Sequence, residues 1–199
     1  MGIQVQSQDR HRLDKVARWF ERVLHPVFIS VLTVLLVMYL SGVGLLSAIG
    51  WVVLMVIFLV GPLLVFNLYN KRREPDSHLV ARDKYTEYGL AGIGLVLLFV
   101  VLYLAQAPRV FIMTLYAVAA ATLISSAINQ FVTKISRHAI VVAGSTALMA
   151  TVSWPLAGVM GVLALAVMWS RVRLGHHTPI QVWLGAIVAV GAVWLVFSL

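Results

Sequence analysis

Long uncharged apolar runs limit what this chain can fold into. Residues 27–48, 51–70, 88–106, 110–128, 138–153, 155–170 and 179–198 contain no Asp, Glu, Lys or Arg. Most of these runs exceed about 18 residues, the length at which an apolar segment becomes a candidate for crossing a bilayer as a helix. Membrane strands alternate apolar and polar residues, and these runs do not. With 61% hydrophobic and 11% charged residues, the chain has too little polar surface to cover a water-soluble domain of its 199 residues. The expectation is an all-α fold, a polytopic transmembrane helical bundle of six to seven spans formed by residues 26–199. The two short runs, 138–153 and 155–170, are expected to extend past these bounds or to sit in a locally thinned bilayer. No internal repeat is visible, which weakens an inverted-repeat transporter reading. The fourth run is rich in small residues (Ala117, Ala119, Ala120, Ala121, Ser125, Ser126), as expected where helices approach closely.

Residues 1–25 form a basic segment of different character. Leu13, Val16, Phe20, Val23 and Leu24 recur at helical spacing, with Arg12, Lys15, Arg18 and Arg22 on other faces. The pattern predicts an amphipathic helix on the membrane surface; a disordered basic tail is the competing reading. A cleaved signal peptide is not expected, because the apolar run that follows is too long and lacks a convincing cleavage site.

Charge placement orients the bundle. With seven spans, the N-terminal segment and the loops near 71–87, 129–137 and 171–178 share one face. Of the 15 Lys and Arg residues, only Arg109 falls on the other face. An excess of Lys and Arg marks the cytoplasmic side, so the chain is expected in the cell membrane with its N-terminus and its chemistry on the cytoplasmic face. The same excess explains the net charge of +8 without a nucleic-acid partner, for which no soluble basic module exists. The absence of cysteine excludes disulfides and thiolate metal sites.

Two polar islands carry the candidate chemistry: Lys134-Ile135-Ser136-Arg137-His138, and the segment from Ser170 to Gln181 containing Arg171, Arg173, His176, His177, Thr178 and Pro179. Each opens a helix, with Ser136 and Thr178 as N-caps and Pro179 in the first turn. Helix N-termini offer unpaired N–H groups to an anion, and guanidinium groups grip phosphate bidentately. A helical hairpin separates the islands, so both return to the same face and can converge on one phosphate. An imidazole can then attack phosphorus while a second one protonates the leaving oxygen. Both start from a pKa of about 6.5, so one must be held neutral and the other charged. The same residues also suit a simpler role as headgroup anchors or holders of anionic lipid.

At these residues the chain resembles the type 2 phosphatidic acid phosphatase superfamily, relatives of the vanadium haloperoxidases. That family's third motif is Ser-Arg, five residues, His, three residues, Asp. Ser170-Arg171, His177 and Gln181 reproduce its spacing, with Gln in place of Asp. The second motif, Pro-Ser-Gly-His, is similar to Ile135-Ser136-Arg137-His138, and the first motif, Lys, six residues, Arg-Pro, is not found. The likeness covers about residues 130–190.

The resemblance implies a metal-independent phosphatase without cofactor, hydrolysing a lipid phosphate or an isoprenoid (di)phosphate. His177 is then the nucleophile, with Gln181 beside it, and His138 is the general acid and later base. Lys134, Ser136 and Arg171 bind phosphate. Arg73 and Arg82 of the 71–87 loop would supply the charge of the missing motif. The family's Asp stabilises the nucleophile's cationic form, which an uncharged Gln181 cannot do; Asp76 and Asp83 are candidate replacements. A catalytically degenerate relative that binds or transports a phosphorylated lipid is the alternative.

Overall fold

The computed structural model describes the backbone of residues 2–73 and 84–199, and side chains from Arg12 onward except those of 59, 60, 63, 67 and 69–91. Among the described residues the regular structure is helical: α1 (Gly2–Val23), α2 (Pro26–Leu40), α3 (Leu45–Arg73), α4 (Lys84–Leu104), α5 (Arg109–Phe131), α6 (Arg137–Ala150), α7 (Trp154–Arg173) and α8 (Pro179–Phe197). Among those residues, α5, α7 and α8 are long and apolar enough to cross a membrane. The segment Arg12–Val23 of α1 passes the same test together with α2, as a pair bent by 50°.

The runs 27–48 and 138–153 differ from expectation. α2 stops at Leu40 because the Gly42 N–H bonds to the Tyr39 carbonyl and the Val43 N–H to that of Met38, each at 3.0 Å. This is a Schellman closure; it needs a left-handed residue after the cap, and Gly42 supplies one at φ +86°. α6 has only 14 residues, about 21 Å at 1.5 Å per residue. Thr151 to Ser153 then turn the chain into α7, with the Thr151 hydroxyl donating to the Leu148 carbonyl at 2.7 Å.

α2 is central and contributes to three apolar clusters. Ile29 packs with residues of α6, α7 and α8 such as Val142, Val167 and Val182. Val34 and Met38 pack with Leu98 of α4 and Phe111 of α5. Val37 meets Ala117, Leu148 and Val193. Small side chains let the helices approach closely: Ala117, Ala121 and Ser125 form a buried stripe on α5. The exterior is apolar, with Leu46, Tyr103, Phe131 and Trp154 largely exposed. Water penalises such a surface, whereas hydrocarbon does not.

Candidate functional site

The end of α7 brings Arg171 and the paired histidines together. Gly175, at φ +71°, closes the helix in a second Schellman turn. Its N–H bonds to the Val172 carbonyl at 3.0 Å, and the N–H groups of His176 and His177 both reach the Arg171 carbonyl, at 3.1 and 3.3 Å. The glycine therefore folds both histidines back over the turn that carries the arginine. Ser170 is buried, and its hydroxyl donates to the Val167 carbonyl at 2.7 Å.

Thr178 then caps α8. Its Oγ1 accepts from the Gln181 N–H at 3.4 Å, and the Gln181 Oε1 accepts from the Thr178 N–H at 3.2 Å, forming a capping box with Pro179 in the first turn. The same Oε1 lies 3.2 Å from His177 Nδ1, while Nε2 of Gln181 donates to Thr133 Oγ1 at 3.4 Å. With a proton on Nδ1 facing this oxygen, His177 Nε2 carries the free lone pair. Gln181 thus orients the imidazole without charging it.

The second island docks against the same turn. The Ser136 N–H bonds to the Gln181 main-chain carbonyl at 3.2 Å, and Asn129 Oδ1 accepts from the Ile135 N–H at 2.7 Å. Gly185, one turn along α8, permits the contact: a Cβ there would lie 2.9 Å from the Ser136 carbonyl oxygen. Ser136 is fully buried, with its Oγ accepting from the Ala139 N–H at 3.4 Å as the α6 cap. His138 follows in the first turn of α6, half-buried and within electrostatic reach of Arg171, Glu21, His25 and His177.

Arg171 is only 9% exposed. One terminal nitrogen bonds to Glu21 Oε1 of α1, and its buried Nε has no partner among the described residues. Glu21 Oε2 lies 3.8 Å from His176 Nε2, and Asp14 Oδ1 lies 2.9 Å from Arg173 Nε. Burial lowers the His177 pKa from its ordinary value, and the charges of Arg171, Lys134 and His176 act in the same direction. The hydrogen bond with Gln181 opposes the shift. An imidazole biased toward its neutral form beside a buried guanidinium can pair a nucleophile with an anion holder.

The structure brings His177, Gln181, His138, Arg171 and Ser136 to one end of the bundle, with Lys134 exposed nearby. Ser136 serves there as a buried helix cap rather than as an exposed hydroxyl. Arg82 and the side chain of Arg73 lie outside the described residues, as do Asp76 and Asp83. The carboxylate that does join the cluster is Glu21, which sequence reasoning missed. Its signal was the seven-residue interval from Asp14, which puts both acids on one face of a basic helix. Thr133 and Asn129 were missed as well, and nothing in their local sequence marks them.

Among the described residues, no group of three or more His, Asp or Glu side chains is arranged to hold a metal ion. A cavity of about 640 Å³ lined by Thr151, Trp154, Trp194 and Phe197 lies at the far end, away from the cluster. Compared with models of protein families, with curated proteins and with solved structures, the chain matches none.

Proposed function

We propose that this chain is an integral membrane phosphatase that hydrolyses a lipid phosphate or an isoprenoid (di)phosphate. The observation that carries the reading is the buried Arg171, whose Nε has no partner among the described residues, beside a His177 that Gln181 orients and burial biases toward its neutral form, at the polar end of an apolar bundle. A buried N–H without an acceptor is unfavourable, and a phosphate oxygen would satisfy it. The apolar exterior and, among the described residues, the three to four helices or bent pairs able to cross support a membrane-embedded bundle. With the seven apolar runs of the sequence, we read it as six to seven spans in the cell membrane. The gathered Lys and Arg support a cytoplasmic N-terminus and site. The exposed Leu13, Val16, Trp19 and Val23 support α1 lying at the membrane surface.

The reaction has two displacements. His177 Nε2 attacks phosphorus, a P–N bond forms, and the P–O bond to the lipid breaks as His138 protonates the leaving oxygen. His138 then takes a proton from water, whose oxygen attacks phosphorus; the P–N bond breaks and inorganic phosphate leaves. Arg171 and Lys134 hold the phosphoryl oxygens throughout.

The test is phosphate release by the purified chain in detergent, with chelator present, from phosphatidate, polyprenyl phosphate and polyprenyl diphosphate. Release that is lost in His177→Ala supports the reading, and release unchanged by that substitution overturns the mechanism. A second reading, binding or transport of a phosphorylated lipid without hydrolysis, draws on one observation: Gln181 is fully engaged in the capping box and on Thr133. Binding of these lipids with no release by folded protein would favour it.

A further inference from the structure

Among its described side chains, Arg12–Val23, α1 touches the rest of the protein along a narrow stripe. Asp14, Ala17 and Glu21 recur at three- and four-residue spacing and share one face. Ala17 is fully buried, and the two carboxylates flanking it pair with Arg173 and Arg171 of α7. Ala17 is the one buried residue among the described side chains of α1. Within Arg12–Val23 the two ion pairs therefore flank a single buried apolar contact. At the other edge of α1 the chain breaks: His25 is extended, at φ −62° and ψ 132°, and Pro26 opens α2. Proline has no N–H to continue a helix, so Leu24 and His25 form a natural pivot.

Arg171 itself is only partly used. A guanidinium offers five donors in one plane. Glu21 takes one terminal nitrogen, and among the described residues the buried Nε–H faces no acceptor. Carboxylate and phosphate compete for the same donors, with similar geometry.

We propose that Glu21 is an internal competitor for phosphate at Arg171, and that α1 is a gate over the anion site. A phosphate group takes over the guanidinium and satisfies its Nε–H, while α1 swings away about Leu24–His25. The gate rests on the anion-site reading above. Linkage makes the effect reciprocal: α1 docking weakens phosphate binding by the same factor that phosphate weakens docking.

The chain has no cysteine, so spin labels at Arg18→Cys on α1 and Val132→Cys after α5 report the position of α1 in the full protein. Inorganic phosphate is the probe. The expected result is a longer label separation on phosphate addition. Glu21→Gln should lengthen it without phosphate and bind phosphate about tenfold tighter. Asp14→Asn should act in the same direction by about threefold; Asp14 pairs with Arg173, so its gain in binding counts for the gate only where the label separation lengthens as well.

Phosphate binding to the unsubstituted protein at an unchanged separation, or binding no tighter in Glu21→Gln, overturns the gate and leaves the anion site standing. No phosphate binding in any variant removes the anion site and the gate together. Gating as expected, without hydrolysis of any lipid phosphate, sustains the gate and overturns the phosphatase.

Discussion

The Gln181 side-chain carbonyl lies 3.2 Å from His177 Nδ1 and 3.2 Å from the Thr178 N–H. One residue therefore caps α8 and sets the tautomer of the candidate nucleophile. Substitutions at 181 act on stability and chemistry together, which is why its conservative variants are the informative ones.

His177→Ala is expected to reduce phosphate release by about 10³-fold or more, the scale seen when a covalent nucleophile is removed. His138→Ala should fall by about 10²- to 10⁴-fold, the range for a general acid. Single-turnover assays with labelled lipid phosphate, and trapping of a phosphoprotein, check both. A phosphoprotein that persists in His177→Ala would move the nucleophile elsewhere.

The pH profile carries a sign. The His177 pKa is lowered mainly by burial, and attack needs the neutral form. The acidic limb, which marks protonation of the nucleophile, should therefore lie below the ordinary histidine value, while the alkaline limb marks loss of the His138 proton. Gln181→Glu keeps the capping box and adds a negative charge that favours imidazolium, so its acidic limb should move to higher pH. kcat/KM measured against pH in both proteins decides the matter; coincident limbs would separate Gln181 from the titration.

Arg171→Lys keeps the charge but loses the planar fork and its Nε–H. Activity should drop by about 10- to 100-fold, since each lost charge-assisted hydrogen bond is worth about 1.5–3 kcal/mol. Most of the loss should be in KM if phosphate is held equally before and during reaction. Steady-state kinetics on a short-chain lipid phosphate separates the two terms.

Gly185→Ala places a methyl 2.9 Å from the Ser136 carbonyl oxygen. Separating α8 from the α6 cap should cost about 1–3 kcal/mol and disturb Gln181 and His177. Gly144→Ala is the control: its methyl meets Ala189 Cβ at 3.5 Å, an ordinary contact. Thermal unfolding in detergent should show a lower Tm for the first and little change for the second.

Gly175→Ala forces a left-handed backbone on a residue with a side chain, at about 1 kcal/mol. The turn positions both histidines over Arg171, so activity should fall more than stability. Gly175→Asn should be milder, because Asn tolerates that conformation. Parallel melts and phosphate-release assays compare the two.

What the sequence determined by itself was local. Uncharged apolar runs dictate helices with a lipid-compatible exterior, because their polarity has no strand period and too little charge for water. Thr178-Pro179 and Ser136 dictate helix starts, because a hydroxyl beside a first turn satisfies free N–H groups wherever the helix lies. The spacing of Ser170-Arg171, His177 and Gln181 brought one turn's chemistry into view for the same reason.

Tertiary structure decided the rest. That Ser136 is a buried cap follows from Gly185, 49 positions away, letting α8 close on the α6 turn. That Glu21 meets Arg171 across 150 positions depends on the break at His25–Pro26 aiming α1 at the end of α7. Apolar patterning does not encode such encounters, because charge pairing is set by where helices end relative to one another, and only their packing fixes that.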